Sequence, residues 1–284
     1  MANTQTTGYY FAPPSKWPIV GSTALFFLAV GGVLLFNGYH AGWISFAIGF
    51  LTLLYMLFGW FGTVIHESEG GLFNRQVDMS FRWAMSWFIF SEVMFFGAFF
   101  GALWYARQYS VPWLGDIDNK LLWPDFPARW PTAGPYHPIE FTAMEAWGIP
   151  AINTLLLLSS GVTVTWAHWA LKKGDRRNLI FGLSLTILLG LTFLILQASE
   201  YIHAYSELNL RLTTGVFGST FFLLTGFHGF HVTLGVTMLI VILFRCVAGH
   251  FKPDHHFGFE AVSWYWHFVD VVWLGLFIFV YWLV

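Results

Sequence analysis

Residues 212–244 read LTTGVFGSTFFLLTGFHGFHVTLGVTMLIVILF, a run without Asp, Glu, Lys or Arg. A bilayer-spanning helix needs about 20 mostly apolar residues, whereas a membrane β-strand needs only about 10. In lipid the backbone amides must be satisfied within the segment or in a closed barrel, so a run this long fits only the helix. Working outward, 17–36, 43–65, 83–106, 147–171, 179–202 and 261–284 are comparable runs, each with no Lys or Arg and at most one acid. The chain therefore reads as an all-α integral membrane protein with seven transmembrane helices.

Composition agrees. Of 284 residues, 57% are hydrophobic, 21% aromatic and only 10% charged. A soluble domain carries about a quarter charged residues, and disorder needs low hydrophobicity with high net charge. Both classes are excluded. A formal charge of −2 leaves no footprint for nucleic acid. The single cysteine, Cys246, excludes an internal disulfide, and without CxxC or Cys/His finger spacing it argues against a zinc or iron–sulfur site.

Short connections at 37–42 and 172–178 make neighbouring helices antiparallel, while 107–146 is long enough, and rich enough in Pro and Trp, to form an ordered extramembrane cap. With the N-terminus inside, Lys16, Arg75, Arg82, Lys172, Lys173, Arg176, Arg177, Arg245 and Lys252 are cytoplasmic. Arg107, Lys120, Arg129 and Arg211 are outside. That asymmetry predicts N-in, C-out. Residues 1–15 have no basic n-region and no small-residue cleavage site follows the first span, so no removable signal peptide is expected. The glycine-rich, charged stretch 66–78 (HESEGGLFNRQVD) predicts a boundary between two helical bundles, dividing the chain into 1–70 and 71–284.

Ionisable groups at mid-membrane are expensive, which makes the few present informative. Glu92 lies deep in the third span, His228 and His231 midway along the sixth, and His267 and Asp270 in the seventh. Both latter pairs are spaced i,i+3 and so share a helix face. The five form a candidate polar seam, readable as a proton path, a metal or haem site, or simply interhelical hydrogen bonding. Eleven histidines also invite a membrane di-iron oxygenase, but they scatter over both faces and the spans. Retinal chemistry needs a buried lysine, and all five lysines lie outside the spans. An independent proton or solute transporter is a further alternative. Arg82 and the group Arg245, His250 and Lys252 read as snorkelling anchors or phospholipid ligands, with His66, Glu67 and Glu69 beside the bundle break.

Three runs carry a family resemblance: Ser91-Glu92-Val93-Met94-Phe95-Phe96, Thr225-Gly226-Phe227-His228-Gly229-Phe230-His231-Val232, and Phe259-Glu260-Ala261 continuing through Trp264-Tyr265-Trp266-His267-Phe268-Val269-Asp270-Val271-Val272-Trp273. With Pro14-Ser15-Lys16-Trp17-Pro18, Ile152-Asn153-Thr154, Gly161 through His168, and Gln197-Ala198-Ser199-Glu200-Tyr201, the chain closely resembles, nearly end to end, subunit III of the haem–copper cytochrome c oxidases. The resemblance implies a non-redox core subunit with two plus five helices in a V and structural phospholipids in its cleft. It carries no catalytic, cofactor or metal site of its own. By the same resemblance haem and copper are expected in partner subunits I and II, with cytochrome c or a similar donor acting on the complex. It also implies support of proton uptake and protection of the catalytic subunit from turnover inactivation. Glu92 matches the family's buried carboxyl, Arg82 and Arg245 match basic positions near lipid phosphates, and Trp60 matches an aromatic of the cleft. The expected lipid set is Trp60, His66, Glu67, Arg82, Arg245 and His250. Two departures stand out. Gly70-Gly71-Leu72-Phe73-Asn74 lacks the family's His and Pro, and Ala248 replaces a lysine of some members, leaving Lys252 as substitute. The long segment 107–146 favours a bacterial plasma (inner) membrane over the mitochondrial inner membrane.

Overall fold

The computed structural model describes residues 9–135 and 140–284; residues 1–8 and 136–139, among them His137, lie outside the described residues. Among the described residues, seven helices are long and apolar enough to cross a membrane. They are α1 (Trp17–Phe36), α2 (Gly42–Glu69), α3 (Arg75–Tyr105), α6 (Ile149–Lys172), α7 (Arg176–Ser206), α8 (Gly215–Ala248) and α9 (Phe257–Leu276). A π-helical turn, Ala106–Ser110, carries α3 into the short α4 (Val111–Leu114). The equally short α5 (Ile117–Lys120) follows, and a second π-helical turn, Phe277–Trp282, prolongs α9.

Local chemistry sets the ends. Pro18 and Pro150 sit in the first turns of α1 and α6, where a missing N–H costs nothing. Asn74 accepts from the backbone N–H groups of Gln76 and Val77, opening α3. Asp175 accepts from Asn178 N at 3.1 Å and opens α7. Gly249, at φ 80°, closes α8 in the left-handed region. The uncharged run starting at Leu212 overshoots α8 by three residues. Thr214 instead takes a hydrogen bond from Arg211 N and gives one to Asn209 O, and Gly215 stands at φ 58°. Conversely, α2 runs past Ile65 to Glu69, because a helix continues into water where its charged residues are solvated.

The chain forms two compact units, the first ending at Phe81 and the second beginning at Arg82, within α3. In the first, the buried residues of α1 are Ala24 and Gly31, and those of α2 are Gly42 and Gly49. A Cβ on Gly31 would stand 2.6 Å from Phe46 N, and one on Gly49 2.6 Å from Leu28 N. The backbones touch, which is how helices associate where lipid is as apolar as Leu. Between the two helices, Ser45 donates to Phe27 O at 2.9 Å and Trp17 Nε1 to Thr63 Oγ1 at 3.3 Å.

The second unit is built around large side chains. Trp266 and Trp273 of α9 are wholly enclosed, and each indole N–H donates at 2.9 Å to α6, to Ser160 and Thr154 respectively. Phe193 of α7 meets Trp273 edge-on at 4.7 Å. Thr163 and Thr186 join α6 to α7, and Tyr201 and Thr225 join α7 to α8, each at 2.7 Å. α3 packs Phe96 against His231 and Phe268. The 107–146 segment is anchored on the ends of α7 and α8: Thr142 N bonds Leu208 O, Phe217 N bonds Thr132 O, and Phe141 stacks on Phe217.

Candidate functional site

The five intramembrane polar residues fall in three places rather than along one seam. On the α3–α8 face, Glu92 Oε2 lies 3.0 Å from His231 Nε2. His231 Nδ1 is 2.6 Å from Phe227 O, a carbonyl that only accepts, so Nδ1 carries the proton. Nε2 is thereby the acceptor facing Glu92. One proton lies between Glu92 Oε2 and His231 Nε2, either on a neutral Glu92 that donates or on the ring as imidazolium facing carboxylate. Glu92 itself is half-buried, its side chain 23% exposed. The buried carboxyl expected from depth along the helix is thus covered on one side only, because α3 lies at the edge of its unit with large outward residues such as Val93 and Met94.

His228, one turn from His231, points elsewhere. Its Nε2 is 3.2 Å from Val269 O and its ring lies against Phe193 and Trp273. The i,i+3 spacing sets a common helix face but not a common partner, so these two histidines offer no convergent pair of nitrogens for a haem or metal. His267 and Asp270 form the third place. His267 Nδ1 is 3.7 Å from Asp270 Oδ2, and its Nε2 is 3.2 Å from Thr165 Oγ1 on α6. Gly161 leaves the room that the Asp270 carboxylate occupies.

The basic residues gather at one end of the second unit. Arg82, in α3, ion-pairs with Glu260 in the first turn of α9 and lies over the Phe257 ring at 5.5 Å. Arg245, in the last turn of α8, lies over Phe251 at 4.4 Å and close to Gly258. His250 N bonds Arg245 O just past the α8 cap. The structure therefore brings Arg82 and Arg245 to the start of α9, with Arg82 already holding an acid, and leaves His250 beside Arg245 at the end of α8. Trp60, His66 and Glu67 belong to the first unit. Trp60 stacks on Phe61 at 5.9 Å, His66 is exposed, and Glu67 accepts from Tyr10 at 3.2 Å.

Two groups escaped the sequence reading. Glu200 is enclosed on α7 beside Gln197 and Tyr281. It lies two residues from the end of the 179–202 run, where an acid would reach the interface, yet α7 continues to Ser206, and Gly190, Phe193, Gln197, Glu200 and Ala204 recur at helical spacing on the buried face. The other group is His168, His256 and Glu260. One ligand atom from each lies within 4.8 Å of the others. The only sequence signal is the i,i+4 spacing of His256 and Glu260; His168 comes from a different helix.

Comparison with known proteins fits this architecture. The family model described as Cytochrome c oxidase subunit III matches residues 7–284. A relative from Papio hamadryas, named Cytochrome c oxidase subunit 3, is 41% identical over 281 residues, covering 98% of each chain. Proteins of that name from Marchantia polymorpha and Arabidopsis thaliana are each 40% identical over 283 residues, covering 99% of this chain and 98% of theirs. With a match across nearly the whole chain and a seven-span helical fold, the chain belongs to the cytochrome c oxidase subunit III family.

Proposed function

We propose that this chain works as the redox-inactive core subunit of an oxidase complex that passes electrons from cytochrome c to oxygen while translocating protons. The observation that carries this is the family match over residues 7–284. Partner subunits I and II hold the haem and copper in this reading, and the chain contributes support for proton uptake and protection during turnover. The Glu92–His231 pair suits a structural part: His231 is tied at both nitrogens, and beyond Glu92 the helix continues as Val93-Met94-Phe95-Phe96, with no polar group to pass a proton on. The di-iron oxygenase and transporter readings gain no comparable support.

The same proposal extends to lipid. Arg82 and Arg245 at the start of α9, with His250 at the end of α8, present guanidinium and imidazole groups of the kind that hold phosphate; the expected set also names Trp60, His66 and Glu67 of the first unit. Grouping the spans as two plus five, with bundles 1–70 and 71–284, belongs to this reading as well. So does the orientation, with nine Lys and Arg on the side of the N-terminus and four opposite. The length of 107–146 favours a bacterial plasma membrane.

The deciding experiment is purification from native membranes. The chain is expected to co-purify with haem-bearing partners, and once isolated to show no stoichiometric Soret band. Stoichiometric iron in the isolated chain overturns the reading in favour of an oxygenase, and a chain that never associates with haem proteins favours a transporter. For the lipid part, native mass spectrometry of the Arg82→Ala/Arg245→Ala variant should show lost phospholipid. Unchanged retention makes these arginines ordinary anchors.

A further inference from the structure

The end of α6 and the start of α9 bring together donors that the oxidase reading does not use. His168 lies one turn before the end of α6, while His256 caps α9 and Glu260 follows one turn later. The two imidazole rings stand 5.2 Å apart at 68°. His256 Nδ1 is 3.1 Å from Lys252 O, which only accepts, so the proton sits on Nδ1 and the lone pair on Nε2. Such a carbonyl behind the ring is the arrangement that orients metal-ligating histidines. The Nε2 atoms of His168 and His256 are both buried and lack a hydrogen-bond partner among the described residues. Glu260 gives Oε2 to Arg82 and turns Oε1 toward His168 Nε2, 4.0 Å away.

We propose that His168, His256 and Glu260 form a binding site for a divalent transition metal, with Zn2+ the fitting occupant. Two imidazoles and one carboxylate, with a fourth position open to water, make a known zinc donor set, whereas Mg2+ and Ca2+ favour oxygen ligands. Zinc–ligand bonds are about 2.0–2.2 Å, and three donors within 4.8 Å of one another reach that geometry by small side-chain rotations. Arg82 and Lys172 lie near enough to His168 to act on it electrostatically. Their charge opposes a second cation, which makes the site reversible rather than permanently filled. Occupancy clamps the end of α6 to the start of α9. The absence of cysteine spacing does not bear on such a site, because none of its ligands is a cysteine. The inference stands on this geometry alone and does not depend on the oxidase reading.

The test is equilibrium dialysis of the full chain in detergent, carrying a histidine-free affinity tag, against Zn2+, with bound metal measured by elemental mass spectrometry. Wild type is expected to bind one Zn2+ that His168→Ala and His256→Ala each weaken more than about ten-fold, with helical circular dichroism unchanged. Equal binding by the variants overturns the site. So that a misfolded variant cannot blur the result, Co2+ is added to the wild type alone. An intense tetrahedral ligand-field spectrum supports the proposal, and a weak octahedral one, or none, refutes it.

Discussion

The α1–α2 pair and the α6–α9 assembly solve one problem, helix association in lipid, with opposite materials. What α1 and α2 hide is Ala24, Gly31, Gly42 and Gly49, while Trp43, Phe50 and Phe58 face outward. What the second unit hides is Trp266, Trp273, Phe193, His228 and Glu200. Burying apolar surface gains little where the solvent is itself apolar, so helices are held by close backbone approach or by interhelical hydrogen bonds and dense packing. The first unit uses the former and has few polar ties. The second uses the latter, and there an ionisable group, Glu92, finds a partner on another helix. A helix pair joined by small residues can associate but has no room for a site; a unit with Trp and His inside has both.

Substitutions can break that contrast. The largest effect is expected from Trp266→Ala, which empties a fully enclosed position and removes the indole N–H that donates to Ser160. Large-to-small changes of this kind cost about 3–5 kcal/mol, readable as a lowered unfolding midpoint in denaturing detergent. If Trp266→Ala is near neutral, packing does not hold the second unit. Next comes Gly49→Ile, where any Cβ meets Leu28 backbone. Overpacking costs about 1–3 kcal/mol, and the loss should appear as faster proteolysis of α1 and α2 with the second unit still protected.

Glu92→Gln should be milder, because the amide still donates to His231 Nε2; a neutral hydrogen bond contributes about 1 kcal/mol. The assembled complex is expected to keep pumping protons, measured as proton ejection by reconstituted vesicles. Normal assembly with pumping abolished would show that the pair conducts. The smallest effect belongs to Asp175, at the mouth of α7 outside the spans. The backbone N–H of Asn178, then its side-chain amide, hold the carboxyl below its ordinary value. A depressed carboxylate stabilises the fold above its unfolded value of about 3.9 and loses that contribution as pH falls through the lowered value. Asp175→Asn still caps α7 but does not titrate. The two proteins should therefore differ slightly at neutral pH and converge in acid when unfolding midpoints are compared.

The spans were legible because lipid imposes a one-dimensional rule, and a long uncharged run can be recognised without knowing its neighbours. Helix ends were less so. The turn at Thr214 and Gly215 is uncharged and invisible to that rule, while α2 keeps its helix through Glu67 and Glu69. Among polar residues, i,i+3 spacing put His228 and His231 on one face, yet one ring meets Val269 O and the other Glu92.

By itself, then, the sequence determined that the chain is helical and lives in lipid, and through its motifs which family it resembles. These follow from local composition and from matching residues position by position. The tertiary structure alone decided which polar groups meet: that Arg82 spends its charge on Glu260, that Glu200 is interior, and that His168 faces His256 across two helices. Such pairings depend on the rotation and register of helices far apart in the chain, which no spacing within one helix encodes.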